Sequence, residues 1–317
     1  GGLVDYGERL FQERDRVDPT FRAVKGRRVI LLLGDQLDRA LVLDWCERVR
    51  ARVLPWVGAI ARGKGIKRGA PVYCTSGLVT LAHMWIFGAH PVGPYKAGPS
   101  GERGCHYPPL PTDTSKRLLY VTNLQRKLRR APDLVVVGTM HWEVARWNEV
   151  PIKTFGPLMK NPDITHYVQT RVQREFLVDV NWLLHQLRSH LPNVPIAWRT
   201  TPPPPTALYV KQWLKSERSD PAALRAVALA APLLNRAGRE AVANNQGMFT
   251  IEVAKILNEG QDARQYLRAR HEGGRKVLDT VTLTPAANWE LANLLLNIVE
   301  QRGAHKRPAG GGKKGGR

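Results

Sequence analysis

Residues Val29 to Leu33 form an unbroken apolar run closed by Gly34-Asp35-Gln36, and this stretch constrains the chain more than any other. Consecutive apolar residues bounded by a glycine suit a strand buried on both faces. Downstream, Leu41, Trp45, Val49 and Val53 recur at helical spacing, so a helix follows the turn. A strand, a sharp turn and a helix in that order set residues 35 and 36 at the carboxyl edge of a parallel sheet. That edge faces a helix N-terminus, where α/β folds hold ligands. Gln36 is then the residue presented at the turn, and its amide has no proton that a base could remove to make a nucleophile.

The rest of the chain alternates in the same manner. Asp133 to Val137 reads as a second buried strand and Val194 to Thr200 as a third, ended by the prolines at 202–205. Between them Val168, Val172, Phe176, Val180, Leu183, Leu184 and Leu187 share one helical face. Pro285 to Val299 reads as a last helix with Leu291, Leu294, Leu295 and Ile298 inward. Strands alternating with helices predict an α/β fold with a doubly wound parallel sheet. Residues 1–24 read as a polar N-terminal extension, 25–300 as the body with a helical insertion at about 206–272, and 301–317 as a basic Gly/Lys/Arg tail.

Charge is the unusual part of the composition. Lys plus Arg number 48 against 27 Asp plus Glu, a formal +21, while apolar content is an ordinary 43%. Such an excess points to a polyanionic partner, nucleic acid or an anionic membrane surface. Gly58 to Gly69 reads as a basic loop, Arg126 to Arg130 as a cationic helix end, and the tail as a cationic segment without acids. No apolar run approaches the roughly 20 residues of a membrane span. Cys46, Cys74 and Cys105 are odd in number and widely spaced, which predicts unpaired thiols and a reducing compartment.

Several motifs carry a bland reading. Gly58 to Lys64 follows the start of a P-loop but has Gly65 where a Mg²⁺-binding hydroxyl is required. Cys74, His83, His90, Cys105 and His106 cluster without the ligand spacing of a zinc site, so no metal is expected. His83 to Phe87 reads as part of a core helix, and Trp142 and Trp147 as core. Asp163-Ile-Thr-His166 reads as a helix N-terminus rather than a catalytic pair. Ser76 lies in a loop-like context with no assigned base.

Four blocks in order resemble the SGNH (GDSL-type) hydrolase superfamily, nearest its PC-esterase-like branch. They are Leu33-Gly-Asp-Gln-Leu-Asp-Arg39 with Asp44-Trp-Cys46, and Pro132-Asp-Leu-Val-Val-Val-Gly138 with His141-Trp-Glu-Val-Ala-Arg-Trp147. Ala197-Trp-Arg-Thr-Thr-Pro202 and Asp279-Thr-Val-Thr-Leu-Thr-Pro285 complete the set, which spans roughly residues 28–300. The resemblance implies a three-layer, flavodoxin-like parallel sheet with helices on both faces. It also implies a site at Gly34, Asp35, Gln36, Arg39, Gly138, Asp279 and Thr282. Two positions depart from the family. Gln36 stands for the nucleophilic Ser, and Thr282 stands for the His of the terminal Asp-x-x-His, so neither nucleophile nor imidazole base is in place. The family's oxyanion-hole Asn has no clear match, since Gly138-Thr139-Met140 occupies that region.

Resemblance and charge together predict a pseudoenzyme, a structural protein of a large ribonucleoprotein. The expectation is a mitochondrial ribosome component or assembly factor in the matrix, without cofactor or small-molecule substrate, contacting rRNA and neighbouring ribosomal or assembly proteins. A start without Met fits a processed chain. Phosphate contacts are expected from Arg62, Lys64, Lys67, Arg68, Arg126, Lys127, Arg129, Arg130, Lys306, Arg307, Lys313, Lys314 and Arg317. The alternatives are an active SGNH esterase or acyltransferase with displaced catalytic residues, and a pseudoenzyme that binds a ligand or protein without RNA.

Overall fold

The computed structural model describes residues 28–57, 66, 70–92, 113–139, 141–144, 146, 166, 169–206, 209–210, 221–258, 266–272 and 275–305. The predicted strand and helix open it as β1 (Arg28–Gly34) and α1 (Gln36–Arg48), with Asp35 as the helix N-cap. The antiparallel strands β2 (Leu54–Pro55) and β3 (Val72–Ser76) follow, then β4 (Val79–Trp85), which returns parallel to β1. Two short helices, α2 (Thr114–Leu118) and α3 (Val121–Leu128), lead to β5 (Leu134–Gly138). A π-helical turn (Val172–Phe176) continues into α4 (Leu177–His190) and β6 (Ile196–Arg199). The chain closes with α5 (Pro221–Ala243), β7 (Met248–Ile251), α6 (Val253–Asn258), the hairpin β8 (Leu267–Glu272) and β9 (Arg275–Leu283), and α7 (Pro285–His305).

The main sheet has seven strands in the order β2-β3-β4-β1-β5-β6-β7. The stretch β4-β1-β5-β6-β7 is parallel, which gives the 2-1-3-4-5 order of a flavodoxin-like sheet, and β2 and β3 add an antiparallel edge. Helices cover both faces, so the predicted three-layer α/β architecture is present with a mixed rather than wholly parallel sheet. One face carries Leu31, Leu33, Met84, Val135 and Val137 under α2, α3, α4 and α5. The other carries Ile30, Leu32, Leu81 and Val136 under α1 and α7, with Trp45, Leu291 and Leu295 packed inward. Burial of each such side chain stabilises the fold by roughly 1.5–3 kcal/mol.

Three readings from sequence change. Residues 83–85 close strand β4 rather than sit in a helix; every residue from Val79 to Trp85 is buried, so the period-2 alternation that marks a strand is missing from the sequence. The region about 206–272 contains β7, which pairs with β6 in the main sheet, and α5, whose Ala226, Ala230 and Leu234 join the core. Cys46 and Cys74 are joined in a disulfide across α1 and β3, with Cα atoms 6.0 Å apart. Folding brings together cysteines that the sequence spaces 28 apart, and the expectation of a reducing compartment loses its premise.

Candidate functional site at the strand ends

Gly34 and Gly138 are register partners at the carboxyl ends of the central strands β1 and β5. A Cβ on Gly34 would lie 1.8 Å from Asp38 Oδ2 and 2.6 Å from Gly138 O. A Cβ on Gly138 would lie 2.3 Å from the Arg199 guanidinium. Both glycines are therefore required by close approach. They leave room for a charged group lying directly across the strand ends.

That group is Arg199 at the end of β6. Its Nε and Nη2 donate to the two oxygens of Asp38 at 2.8 and 2.9 Å, and its Nη1 donates to Thr201 Oγ1 at 3.0 Å. Nη2 also lies 3.5 Å from Asp35 Oδ1. Asp35 receives the Leu37 N–H at 3.0 Å, capping α1, and the His141 N–H at 3.4 Å. The guanidinium and both carboxylates are buried. Burial raises the Asp38 carboxyl to about 6, against the opposing pull of Arg199. It raises Asp35 as well, for the same cause. Two acids share one guanidinium, so this side of the turn has a surplus of acid. The segment after Arg199 is itself locked: Asn235 accepts from Thr201 N and donates to Thr201 O, and Thr200 Oγ1 caps Ala254 N.

On the β4 side of the turn the balance reverses. His83 is fully buried, its ring meets Trp85 edge to face at 5.4 Å, and it faces the backbone of Gly34 and Asp35 at the turn. Burial, with Arg39 and Arg117 nearby, holds its pKa well below the ordinary value, so the ring is neutral. Arg39 donates to Ala70 O at 3.0 Å, and Arg117 donates to Trp85 O at 3.1 Å and lies over the Phe87 ring. Burial lowers Arg117 to about 10. Phe87 stacks on Trp85 and takes Trp142 edge-on at 4.9 Å. Glu143 accepts the Ala89 N–H at 2.6 Å at Gly88, whose φ of +117° suits glycine. Tyr209 Oη donates to His141 O at 2.6 Å.

Of the sequence-predicted site, Gly34, Asp35, Gly138 and Arg39 converge here, and Gln36 is half-buried at the head of α1. Thr282 is buried at the end of β9, and the Asp279 side chain lies outside the described residues. Ser76 pairs with Val79, at the opposite edge of the sheet from the Gly34 turn. Cys74 is in the disulfide, Cys105, His106 and Trp147 lie outside the described residues, and His166 is exposed. Sequence reasoning missed Asp38, Arg199 and Thr139. Thr139 follows Gly138, and its buried hydroxyl has no hydrogen-bond partner.

Among the residues expected to touch rRNA, only the Arg126–Arg130 cluster is described. Lys127 donates to Pro55 O and lies 5.5 Å from the Tyr73 ring, and Arg130 chelates Asp133 at 2.8 Å. Arg126 and Arg129 are exposed. Arg62, Lys64, Lys67, Arg68, Lys306, Arg307, Lys313, Lys314 and Arg317 lie outside the described residues.

No family model matches the sequence, and no curated protein matches it. Among solved structures the chain is similar to one described as a platelet activating factor from Streptococcus pneumonia, at 13% identity and a TM-score of 0.44, over 92% of this chain and 95% of that one. It is also similar to one described as a peptidoglycan O-acetylesterase, at 10% identity and a TM-score of 0.30, over 94% of this chain and 97% of that one. Neither description is of a ribosomal or RNA-binding protein. The ribonucleoprotein reading is corrected: of the basic cluster, Lys127 is bonded to Pro55 O and Arg130 chelates Asp133, and net charge reports a surface property that carries no identity for a partner.

Proposed function

We propose that this chain is an SGNH-type protein of the PC-esterase-like kind whose strand-end cleft recognises an ester or acyl group without cleaving it. The observation that supports this reading is the condition of the turn. The capped Asp35, the two close-approach glycines and the Asp38–Arg199 pair are all in place, and residue 36 is a glutamine. A glutamine at the head of a helix offers an amide donor and acceptor beside backbone N–H groups, which suits a carbonyl or carboxylate oxygen. It has no proton to lose and forms no acyl-enzyme. Thr282 in place of an imidazole removes the base as well.

The test is thermal stabilisation of the full chain by acetate, hexanoate and an acetylated sugar, beside p-nitrophenyl acetate hydrolysis. Stabilisation that disappears in Gln36→Ala, with no hydrolysis above that of heat-unfolded protein, is expected. A second reading is an esterase with a displaced nucleophile. It is favoured by Thr139, whose unpartnered buried hydroxyl stands two residues from His141, itself held by Asp35 through its backbone N–H. Labelling by a serine-directed fluorophosphonate that vanishes in Thr139→Ala establishes this second reading and overturns the first.

A further inference from the structure

The helices α2 and α3 run nearly end to end, joined at Leu119 and Tyr120, both in right-handed helical conformation. Their inner face is fixed by Thr114, Arg117, Leu118, Val121 and Leu124, all buried. From Thr114 to Pro132 the sequence holds Lys116, Arg117, Arg126, Lys127, Arg129 and Arg130 and not one acid. Arg117 faces inward, and Lys127 and Arg130 are bound to Pro55 and Asp133. The exposed cations of the outer stripe are Lys116, ion-paired with Asp113 at 3.1 Å, Arg126, bonded to the neutral Asn123, and Arg129. Between them stands Leu119, 61% exposed. Val92, on the segment bonded to this helix, is 60% exposed: Pro91 O accepts the Ser115 N–H at 3.0 Å, one helical turn before Leu119.

We propose that this stripe docks on an anionic lipid surface, with Leu119 and Val92 entering the headgroup layer and Lys116, Arg126 and Arg129 over acidic headgroups. Aliphatic knobs ringed by cations match a lipid interface, which buries apolar side chains while attracting positive charge. A single-stranded nucleic-acid surface sets aromatic rings between its cations for bases to stack on, and this stripe places aliphatic side chains there. The arrangement also has a place in the fold. Thr114 Oγ1 donates to Gly88 O at 3.0 Å and Arg117 holds Trp85 O, so the stripe begins beside the segment that follows β4. The docking inference stands on its own observations and does not depend on the proposed function.

The experiment is flotation of the full chain with vesicles of phosphatidylcholine, with and without phosphatidylserine, at low and physiological salt. Binding is expected only with phosphatidylserine and is expected to weaken as salt rises. Each outward cation contributes about a fivefold gain in affinity, so Arg126→Gln with Arg129→Gln weakens binding roughly 30-fold. Leu119→Gln weakens it about tenfold. All three substitutions are at exposed positions, so the urea midpoint of each variant stays at that of the parent. Equal binding to neutral vesicles overturns the proposal, as does wild-type binding by Leu119→Gln together with the double arginine variant. Binding to duplex RNA that the arginine substitutions abolish, with no vesicle binding, overturns it in favour of a nucleic-acid surface.

Discussion

The two sides of the Gly34 turn solve the same problem, polar groups buried at strand ends, in opposite ways. On the β5–β6 side two carboxylates are held by one guanidinium with bidentate geometry, and the following loop is fastened by side-chain bonds. On the β4 side a buried neutral imidazole lies against an aromatic ring and the backbone of the turn, near two arginines. The first side is a closed network in which every member depends on the others. The second is a row of ring contacts with His83 at its end, so that His83 is the member that changes with least loss to the rest. The closed network holds the turn, with the half-buried Gln36 at the head of α1 beside it.

The largest test of that contrast is Arg199→Ala. It leaves Asp35 and Asp38 buried without their cation, and a loss of about 3–5 kcal/mol is expected in urea unfolding at neutral pH. Removing the Cys46–Cys74 bond, as Cys46→Ala with Cys74→Ala, frees a loop of 28 residues beside the β4 side. The expected loss is roughly 3–4 kcal/mol, and it also appears when the parent is unfolded under reducing conditions.

The pH dependence separates the two sides by sign. The folded Asp38 carboxyl is raised to about 6 from 3.8, so its contribution is full below 3.8 and is lost as pH rises through about 6. His83 is depressed below 6.5, so its contribution is full above 6.5 and is lost as pH falls toward its folded value. Unfolding free energy measured against pH in Asp38→Asn has a smaller first slope, the share of Asp35 remaining, and keeps the second, while His83→Phe keeps the first and loses the second. The smallest effect is that of His83→Phe at neutral pH. Exchanging a buried neutral ring that meets only the turn backbone and Trp85 for an apolar ring changes stability by about 1 kcal/mol or less. A loss comparable to that of Arg199→Ala erases the contrast between the sides.

Much of this was legible in local sequence. Val29–Leu33, the turn and α1 are a contiguous apolar run, a glycine and a helical repeat, and each signal lies within a few residues of its cause. The face of α4 and the inward leucines of α7 were legible for the same reason. Asp38 and Arg199 were not, because they meet across 161 residues and each alone looks like an ordinary surface charge. His83 read as helical because β4 is buried on both faces. The disulfide was hidden likewise, since a separation of 28 residues carries no signature of pairing until α1 crosses β3.

The two-residue strand β2 has a consequence for the molecule as a whole. A sheet edge is a template on which a second chain can add a strand, and it is dangerous in proportion to its length and its free backbone groups. Here the outermost strand is Leu54–Pro55: proline has no N–H to offer, and its carbonyl is already taken by Lys127 at 3.1 Å. Lys127 thus occupies the acceptor at this edge, while β7 forms the other edge; Lys127→Glu frees that carbonyl, and a rise in light scattering is the expected outcome.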